Sequence, residues 1–221
     1  MKSEIILALD VDSFSKAKYF VNKLYPKIKI FKVGMQLYTA LGPKIIQMIH
    51  KKGGEVFLDL KFLDIPNTVA KAVRQAARLK VKMLTLHISG QEEMLKAAVL
   101  AAKDEAKKLK IKKPLLIGVT VLTSQKAGPA QVLKLAKIGL NSGLDGVVCS
   151  ALEAKILRNK IKRKFVIVTP GIRPAGVDKN DQKRVATVPE AIKAGSNFLV
   201  IGRPILEARN PQEVVKSLRV K

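Results

Sequence analysis

The run Leu115-Leu116-Ile117-Gly118-Val119 contains no polar side chain. A strand that is buried on both faces has this composition, whereas a strand with one solvent-exposed face alternates polar and apolar residues. Similar short runs recur along the chain, and an amphipathic stretch at helical spacing follows each of them. Strands are therefore predicted over residues 4–10, 28–33, 56–61, 83–88, 114–122, 146–149, 165–169 and 197–201.

The intervening stretches predict helices. Asp12 or Ser13 is a suitable cap for a first helix that runs through Leu24, because both residue types accept backbone N–H bonds at a helix start. The other helices are predicted over residues 43–52, 67–79, 91 to about 109, 130–142, 151–159, 189–194 and 211–218.

Strands that alternate with helices pair in parallel through right-handed crossovers. Repeated strand–helix units predict a closed (β/α)₈ TIM barrel, a single compact domain over residues 1–221, with few insertions because such barrels typically have about 250 residues. The alternative is an open doubly wound sheet. Its usual nucleotide fingerprint, Gly-x-Gly-x-x-Gly after the first strand, is missing from this sequence.

Composition excludes several classes of protein. Hydrophobic residues make up 48% of the chain, which is enough to build a core and excludes a wholly disordered protein. No apolar run approaches the roughly 20 residues that span a bilayer, and the N-terminal apolar run is too short for a signal peptide. The single cysteine, Cys149, cannot form a disulfide within the chain, so we expect a reducing cytoplasm and a core position for Cys149.

The formal net charge is +25, which admits two interpretations. One is a polyanion partner, such as nucleic acid, bound by a basic barrel without catalytic activity. The other is a lysine-rich surface on an ordinary enzyme. The chain has 33 lysines against nine arginines, and aromatic residues are 5%. Because nucleic-acid binding favours arginine and stacked aromatic residues, we predict no nucleic-acid partner.

Charged residues cluster where the third predicted strand ends. In a barrel of this kind the functional site lies at the carboxyl ends of the strands. Asp59 and Lys61 are two apart and so share one face of a strand, and Asp64 follows on the loop. Asp10 and Lys32 end the first two strands. The sequence therefore predicts an array of alternating charges at the end of the barrel where the strands terminate. A buried ion pair is a poor stabiliser, so we interpret these residues as part of a functional site.

Two later strand ends have the composition of a phosphate site. Thr169-Pro170-Gly171-Ile172-Arg173-Pro174 ends the seventh strand, and Ile201-Gly202-Arg203-Pro204 ends the eighth. Loops after these strands often bind phosphate in barrels, with glycine giving access to backbone N–H groups and arginine a bidentate fork. His87 ends the fourth strand, and two roles stay open for it. It either contacts substrate or only fills space at the open end of the barrel. No Cys/His cluster suggests zinc.

These motifs together resemble one family. Asp59-Leu60-Lys61-Phe62-Leu63-Asp64-Ile65-Pro66-Asn67-Thr68 matches the Asp-x-Lys-x-x-Asp-Ile-Pro-x-Thr pattern of the orotidine 5′-phosphate decarboxylases of the bacterial type. The resemblance runs the full length, in order, and Asn180 departs from the glycine that the pattern usually has before Asp-Gln. Its supporting motifs are Ala8-Leu9-Asp10, Phe31-Lys32-Val33-Gly34, Val119-Thr120-Val121-Leu122-Thr123-Ser124, Thr169-Pro170-Gly171-Ile172-Arg173-Pro174, Asp181-Gln182-Lys183-Arg184 and Val200-Ile201-Gly202-Arg203-Pro204-Ile205.

The resemblance implies a lyase that converts orotidine 5′-monophosphate to UMP and CO₂, the last step of pyrimidine synthesis, without metal or cofactor. It implies that Lys61 is the proton donor, flanked by Asp59 and Asp64, and that Lys32 completes the charged array. It further implies a homodimer with shared active sites, in which Asp64, Ile65 and Thr68 reach the neighbouring site. The remaining implied substrate contacts are Asp10 and Lys32 to the ribose, Thr123 to the pyrimidine, and Arg173, Gln182, Gly202 and Arg203 to the phosphate. Whether Ser124 also contacts the pyrimidine stays open.

A sibling barrel with an Asp-x-Lys element is the nearest alternative. 3-Keto-gulonate-phosphate decarboxylases and hexulose-phosphate synthases have this element and use Mg²⁺ held by carboxylates. The Ile65-Pro66-x-Thr68 continuation and the Leu122-Thr123-Ser124 loop argue against them, and activity that a chelator leaves unchanged would decide the question.

Overall fold

The computed structural model describes residues 3–122, 125, 127–173 and 185–218. Within these ranges, parallel strands pair in sequence order and the last closes on the first, which gives the predicted (β/α)₈ barrel and excludes the open sheet. The strands are β1 Glu4–Ala8, β2 Ile30–Gly34, β3 Glu55–Phe62, β4 Met83–His87, β5 Leu115–Val119, β6 Gly146–Val148, β7 Val166–Thr169 and β8 Phe198–Ile201.

Helices cover the outside of the barrel. Each predicted helix is present to within a few residues, and Ser13, not Asp12, caps the first by accepting from the backbone N–H of Lys16 at 3.3 Å. The helices are α1 Phe14–Leu24, α2 Met35–Leu41, α3 Pro43–Lys51, α4 Pro66–Arg78, α5 Gln91–Leu109, α6 Pro129–Asn141, α7 Ala151–Lys160, α8 Val188–Lys193, α9 Arg203–Leu206 and α10 Pro211–Ser217.

The sequence analysis missed two of these helices. α2 has no side-chain cap at its start and is separated from α3 only by Gly42, whose φ of +54° is a conformation that favours glycine. α9 is a single turn that begins at Arg203, directly after β8. Neither has the length or the capping residues from which helices are predicted.

Apolar side chains alternate between two cores along each strand. Ile6, Phe57, Met83 and Ile117 belong to a small cluster inside the barrel. Their neighbours in sequence pack outward against the helices in a much larger cluster. This division explains why the strands are apolar throughout, because each face of a strand packs in one of the two clusters.

Cys149 lies in the outer core, as predicted, and burial raises the pKa of its thiol far above the usual range. No helix in the described part of the chain has both the length and the apolar character needed to cross a membrane.

Candidate active site

A cavity of about 230 Å³ opens at the carboxyl ends of the strands. Charged side chains from β1, β2 and β3 line one part, and residues after β7 and β8 line another. Apolar side chains of the inner core form its floor. The residues that line it are Ala8, Asp10, Lys32, Phe57, Asp59, Lys61, Val119, Val121, Leu122, Val148, Val168, Pro170, Gly171, Arg173, Val200, Gly202 and Arg203.

The structure brings the four predicted charges of the first three strands together in alternating order. Lys32 Nζ lies 2.9 Å from Asp10 Oδ1 and 3.6 Å from Asp59 Oδ2. Lys61 Nζ donates to Asp59 Oδ1 at 3.0 Å. Asp59 therefore lies between two lysines, and we call Asp10, Lys32, Asp59 and Lys61 the charged array.

The Asp59 side chain is largely shielded from solvent and is 14% exposed. Burial alone raises the pKa of Asp59, but the charges of Lys32 and Lys61 and the hydrogen bonds from Lys61 and Thr85 outweigh burial and bring its pKa below the ordinary value. The carboxylate is thus ionised at neutral pH and forms ion pairs with both lysines.

β3 is not the regular strand that the alternation argument assumed. Its register against β4 shifts between Leu58 and Phe62, and Lys61 has a left-handed backbone with φ of +52°. The bulge nevertheless leaves Asp59 and Lys61 on the same cavity wall. The predicted placement was right, and the predicted regular geometry was wrong because β3 accommodates two extra residues here relative to β4.

Thr85 was missed by the sequence analysis. Its hydroxyl accepts from the backbone N–H of Lys61 at 2.9 Å and donates to Asp59 Oδ1 at 2.9 Å. The sequence did contain one indication of its position. Thr85 is two residues after Met83 and so lies on the same side of β4, which faces the barrel interior. A hydroxyl that is buried among apolar side chains on that side of the strand needs a hydrogen-bond partner inside the barrel.

The two arginines of the predicted phosphate site line the same cavity. Arg173 is 5% exposed, and its backbone N–H donates to the carbonyl of Ala186 at 2.9 Å. Gly171, two residues earlier, has φ of +75°, a conformation that favours glycine. Gly202 precedes Arg203 and packs against β1, where an added Cβ would lie 3.4 Å from Cβ of Ala8.

Three predicted site residues do not line the cavity of their own chain. Asp64, Ile65 and Thr68 are exposed, and Asp64 Oδ1 accepts from the backbone N–H of Ile65 at 2.7 Å. Within the described ranges, no ion pair joins Asp64 to Lys61. We expected two carboxylates, Asp59 and Asp64, to flank Lys61. Within one chain, only Asp59 of these two lies beside Lys61.

The other predictions divide in two. Thr123, Ser124 and Gln182 lie outside the described residues. His87 is half-buried and does not line the cavity; burial, then the charge of Lys61, lowers its pKa, and Asp59 opposes this. Among the residues that the structure describes, no group of three or more His, Cys, Asp or Glu side chains is arranged to hold a metal ion.

The fold and the cavity define a (β/α)₈-barrel enzyme with a lysine–carboxylate array at the mouth and arginines on the loops after the last two strands. The chain belongs to the orotidine 5′-phosphate decarboxylase / HUMPS family, whose sequence profile matches residues 3–218.

Relatives and solved structures agree with this assignment. The orotidine 5′-phosphate decarboxylase of Vibrio campbellii is 47% identical over 226 residues, covering 97% of this chain and 95% of the relative. The crystal structure of orotidine 5′-phosphate decarboxylase from Lactobacillus acidophilus matches with a TM-score of 0.86 at 35% identity, covering 98% and 97% of the two chains. The enzyme of that name from Thermotoga maritima matches with a TM-score of 0.75 at 28% identity, covering 99% of each chain.

Proposed function

We propose that this protein decarboxylates orotidine 5′-monophosphate to UMP and CO₂, the last step of pyrimidine nucleotide synthesis. The observation that carries the proposal is the charged array, in which Lys61 Nζ is held 3.0 Å from the ionised Asp59 at the cavity wall. Relatives that bear the decarboxylase name at 47% identity support the same substrate.

The chemistry needs a fixed cation. Breaking the bond between C6 and the carboxylate leaves its electron pair on C6, in the plane of the pyrimidine ring, where no π-system delocalises it. Stabilisation is then mainly electrostatic, and the ammonium of Lys61 supplies it from a preorganised position. The same ammonium then transfers a proton to C6, which forms UMP and leaves Lys61 neutral until solvent reprotonates it.

Asp59 has two roles in this proposal. Its negative charge holds the Lys61 ammonium in place through an ion pair of 3.0 Å. We also place the substrate carboxylate next to the carboxylate of Asp59, so that the ground state is crowded and the loss of CO₂ relieves the repulsion.

Substrate binding extends across the cavity. We assign the ribose hydroxyls to Asp10 and Lys32, and the phosphate to Arg173, Gly202 and Arg203, which line the other part of the cavity. Thr123 is proposed to contact the pyrimidine and Gln182 to close over the phosphate; both come from the family resemblance. Contacts to the phosphate, remote from C6, contribute binding energy that positions the reacting end.

We further propose a homodimer with shared sites, in which Asp64, Ile65 and Thr68 complete the partner subunit's cavity. The support is their exposure outside their own cavity, together with exposed apolar side chains on the same loop: Leu63 is 54% exposed and Ile65 is 67% exposed. Apolar side chains exposed this far on a short segment are typical of a contact surface.

The reaction as proposed uses no metal and no cofactor, and the expected location is the cytoplasm. The test is a spectrophotometric assay of orotidine 5′-monophosphate, with and without EDTA. We expect loss of the substrate's absorbance at equal rates in both. No turnover contradicts the proposal. Turnover of a sugar phosphate that EDTA abolishes identifies the protein instead as a magnesium-dependent sibling.

The net charge of +25 has a separate test. We expect no gel shift with duplex DNA or RNA at about 150 mM salt, because binding driven by counterion release fades as salt rises. A retained, saturable shift at that salt would instead support a nucleic-acid partner.

A further inference from the structure

Thr85 lies in the middle of β4 with none of its surface exposed, and its side chain contacts two members of the charged array. Its Oγ1 is 2.9 Å from the backbone nitrogen of Lys61 and 2.9 Å from Asp59 Oδ1. An amide N–H can only donate, so the hydroxyl oxygen accepts from Lys61. Its one proton is then left for the ionised carboxylate, which can only accept.

The first contact holds the backbone of Lys61. The ladder between β3 and β4 is interrupted from Leu58 to Phe62, and Lys61 within that gap has φ of +52°. A buried backbone N–H without a partner is costly. The Thr85 hydroxyl takes the place of a carbonyl from the neighbouring strand and so satisfies the N–H in the left-handed conformation.

The second contact holds the carboxylate. Asp59 Oδ1 accepts from both Lys61 Nζ at 3.0 Å and Thr85 Oγ1, while Asp59 Oδ2 faces Lys32 Nζ at 3.6 Å. A hydrogen bond from a fixed strand restricts the rotation of the carboxylate. The Asp59 oxygen that orients the Lys61 ammonium is thereby fixed in place.

We propose that Thr85 is a positioning residue for the decarboxylation. One hydroxyl fixes both the backbone from which the Lys61 side chain starts and the carboxylate to which its ammonium is bound. Lys61 Nζ is therefore held at one location before substrate arrives. This inference rests on the proposed function, because it assigns the catalytic ammonium to Lys61.

A merely structural hydroxyl offers a matched control. Thr169 in β7 is also fully buried, and its Oγ1 lies 2.6 Å from Ser196 Oγ. Thr169 is not among the residues that line the cavity, and among the described residues its hydroxyl is hydrogen-bonded to Ser196 and to no member of the charged array. Replacing either threonine by valine removes one buried hydroxyl from a strand, so both changes are expected to lower stability.

The experiment compares Thr85→Val, Thr85→Ser and Thr169→Val by kcat, KM and thermal unfolding. Removing a hydrogen bond to a charged group predicts a fall in kcat of about ten- to a hundredfold for Thr85→Val. We expect its KM to change by less than about threefold, because binding common to substrate and transition state is kept. Thr85→Ser should regain most of kcat, and Thr169→Val should keep it. If Thr85→Val does not fold, Thr85→Ala serves as the deletion.

Amide hydrogen exchange at Lys61 gives a readout that does not depend on activity. Exchange should accelerate in Thr85→Val and not in Thr169→Val. Unchanged exchange at Lys61 overturns the proposal, as does a kcat for Thr85→Val within about twofold of wild type, or equal losses of kcat in the two valine variants. If the wild-type protein does not turn over orotidine 5′-monophosphate, the proposed function fails, and the exchange rate alone decides whether Thr85 holds the bulge.

Discussion

Lys61 places its Nζ 3.0 Å from Asp59 Oδ1 while its own backbone lies in the left-handed region, at φ of +52°. A non-glycine residue in a sparsely populated conformation typically costs on the order of 1–3 kcal/mol. The ion pair with Asp59 and the hydrogen bond from its backbone N–H to Thr85 offset that cost. The strained residue of the strand is thus the one that bears the proposed catalytic ammonium.

Replacing Lys61 by alanine should abolish turnover while the barrel stays folded. The proposal assigns both carbanion stabilisation and protonation to this ammonium, so several kcal/mol of barrier depend on it, and each ~1.4 kcal/mol is tenfold in rate. The measurement is kcat with orotidine 5′-monophosphate, with circular dichroism to check the fold. Lys110→Ala is the control, because Lys110 is exposed and also has a left-handed backbone, with φ of +53°. Turnover by Lys61→Ala within about tenfold of wild type would refute this role.

Mixing two inactive variants tests the shared sites. Asp64 is exposed and lies outside its own cavity, so its removal should inactivate the partner subunit's site. A hybrid of Lys61→Ala and Asp64→Ala chains has one site with both residues intact. Random mixing should therefore restore about a quarter of wild-type activity in a symmetric dimer. No recovery, once mass spectrometry shows that subunits have exchanged, would contradict shared sites.

The barrel and the cavity wall could be predicted because they follow from local patterns. Apolar runs such as 115–119 predict strands covered on both faces, and strand order then follows from the alternation with helices. The convergence of Asp10, Lys32 and Asp59 needed only adjacent parallel strands, whose carboxyl ends meet at one edge.

The bulge at Lys61 and the role of Thr85 could not be predicted in the same way. Strand alternation assigns a face to a residue but says nothing about register, and the shift between Leu58 and Phe62 depends on pairing with β4. α2 was missed because Gly34 precedes it without a capping side chain. The bulge is set by contacts between segments distant in sequence, which no local pattern records. For Thr85 the sequence offered only the indirect signal of a hydroxyl on the inward side of β4.

Acid should destabilise the fold through its histidines. Burial, then the positive charge of Lys80, lowers the pKa of His50, with Glu55 opposing. Burial, then Lys61, likewise lowers the pKa of His87. The unfolded chain, with histidine pKa values near about 6.5, therefore binds protons before the folded protein does. Stability is fully present above that pH and declines as pH falls through it.

His50→Gln tests this linkage away from the cavity. The free energy of unfolding from urea titrations, followed by circular dichroism between pH 8 and pH 5, should decline less steeply in the variant than in wild type. His87→Gln should reduce the slope independently, because the two histidines lie on separate elements, α3 and β4. An unchanged slope in both variants would show that the decline has another origin.

Replacing Arg203 by alanine should weaken substrate capture far more than it affects chemistry on a nucleoside without phosphate. Arg203 follows β8 and lines the cavity with Gly202 and Arg173, whereas Lys61 belongs to β3. In the proposed orientation the guanidinium acts only through the phosphate. Losing one charged hydrogen-bond partner should cost on the order of 2–4 kcal/mol in kcat/KM for orotidine 5′-monophosphate.

The slow decarboxylation of orotidine, which lacks the phosphate, distinguishes an effect on phosphate binding from an effect on the chemistry at C6. Its rate should barely change in Arg203→Ala, since the nucleoside presents nothing for that guanidinium to bind. Arg209→Ala serves as the control, because Arg209 is exposed, lies shortly after α9 and does not line the cavity, so it should leave both substrates unaffected. Equal losses with both substrates would mean that Arg203 supports the fold or the reacting end, and the phosphate site would then have to be placed elsewhere.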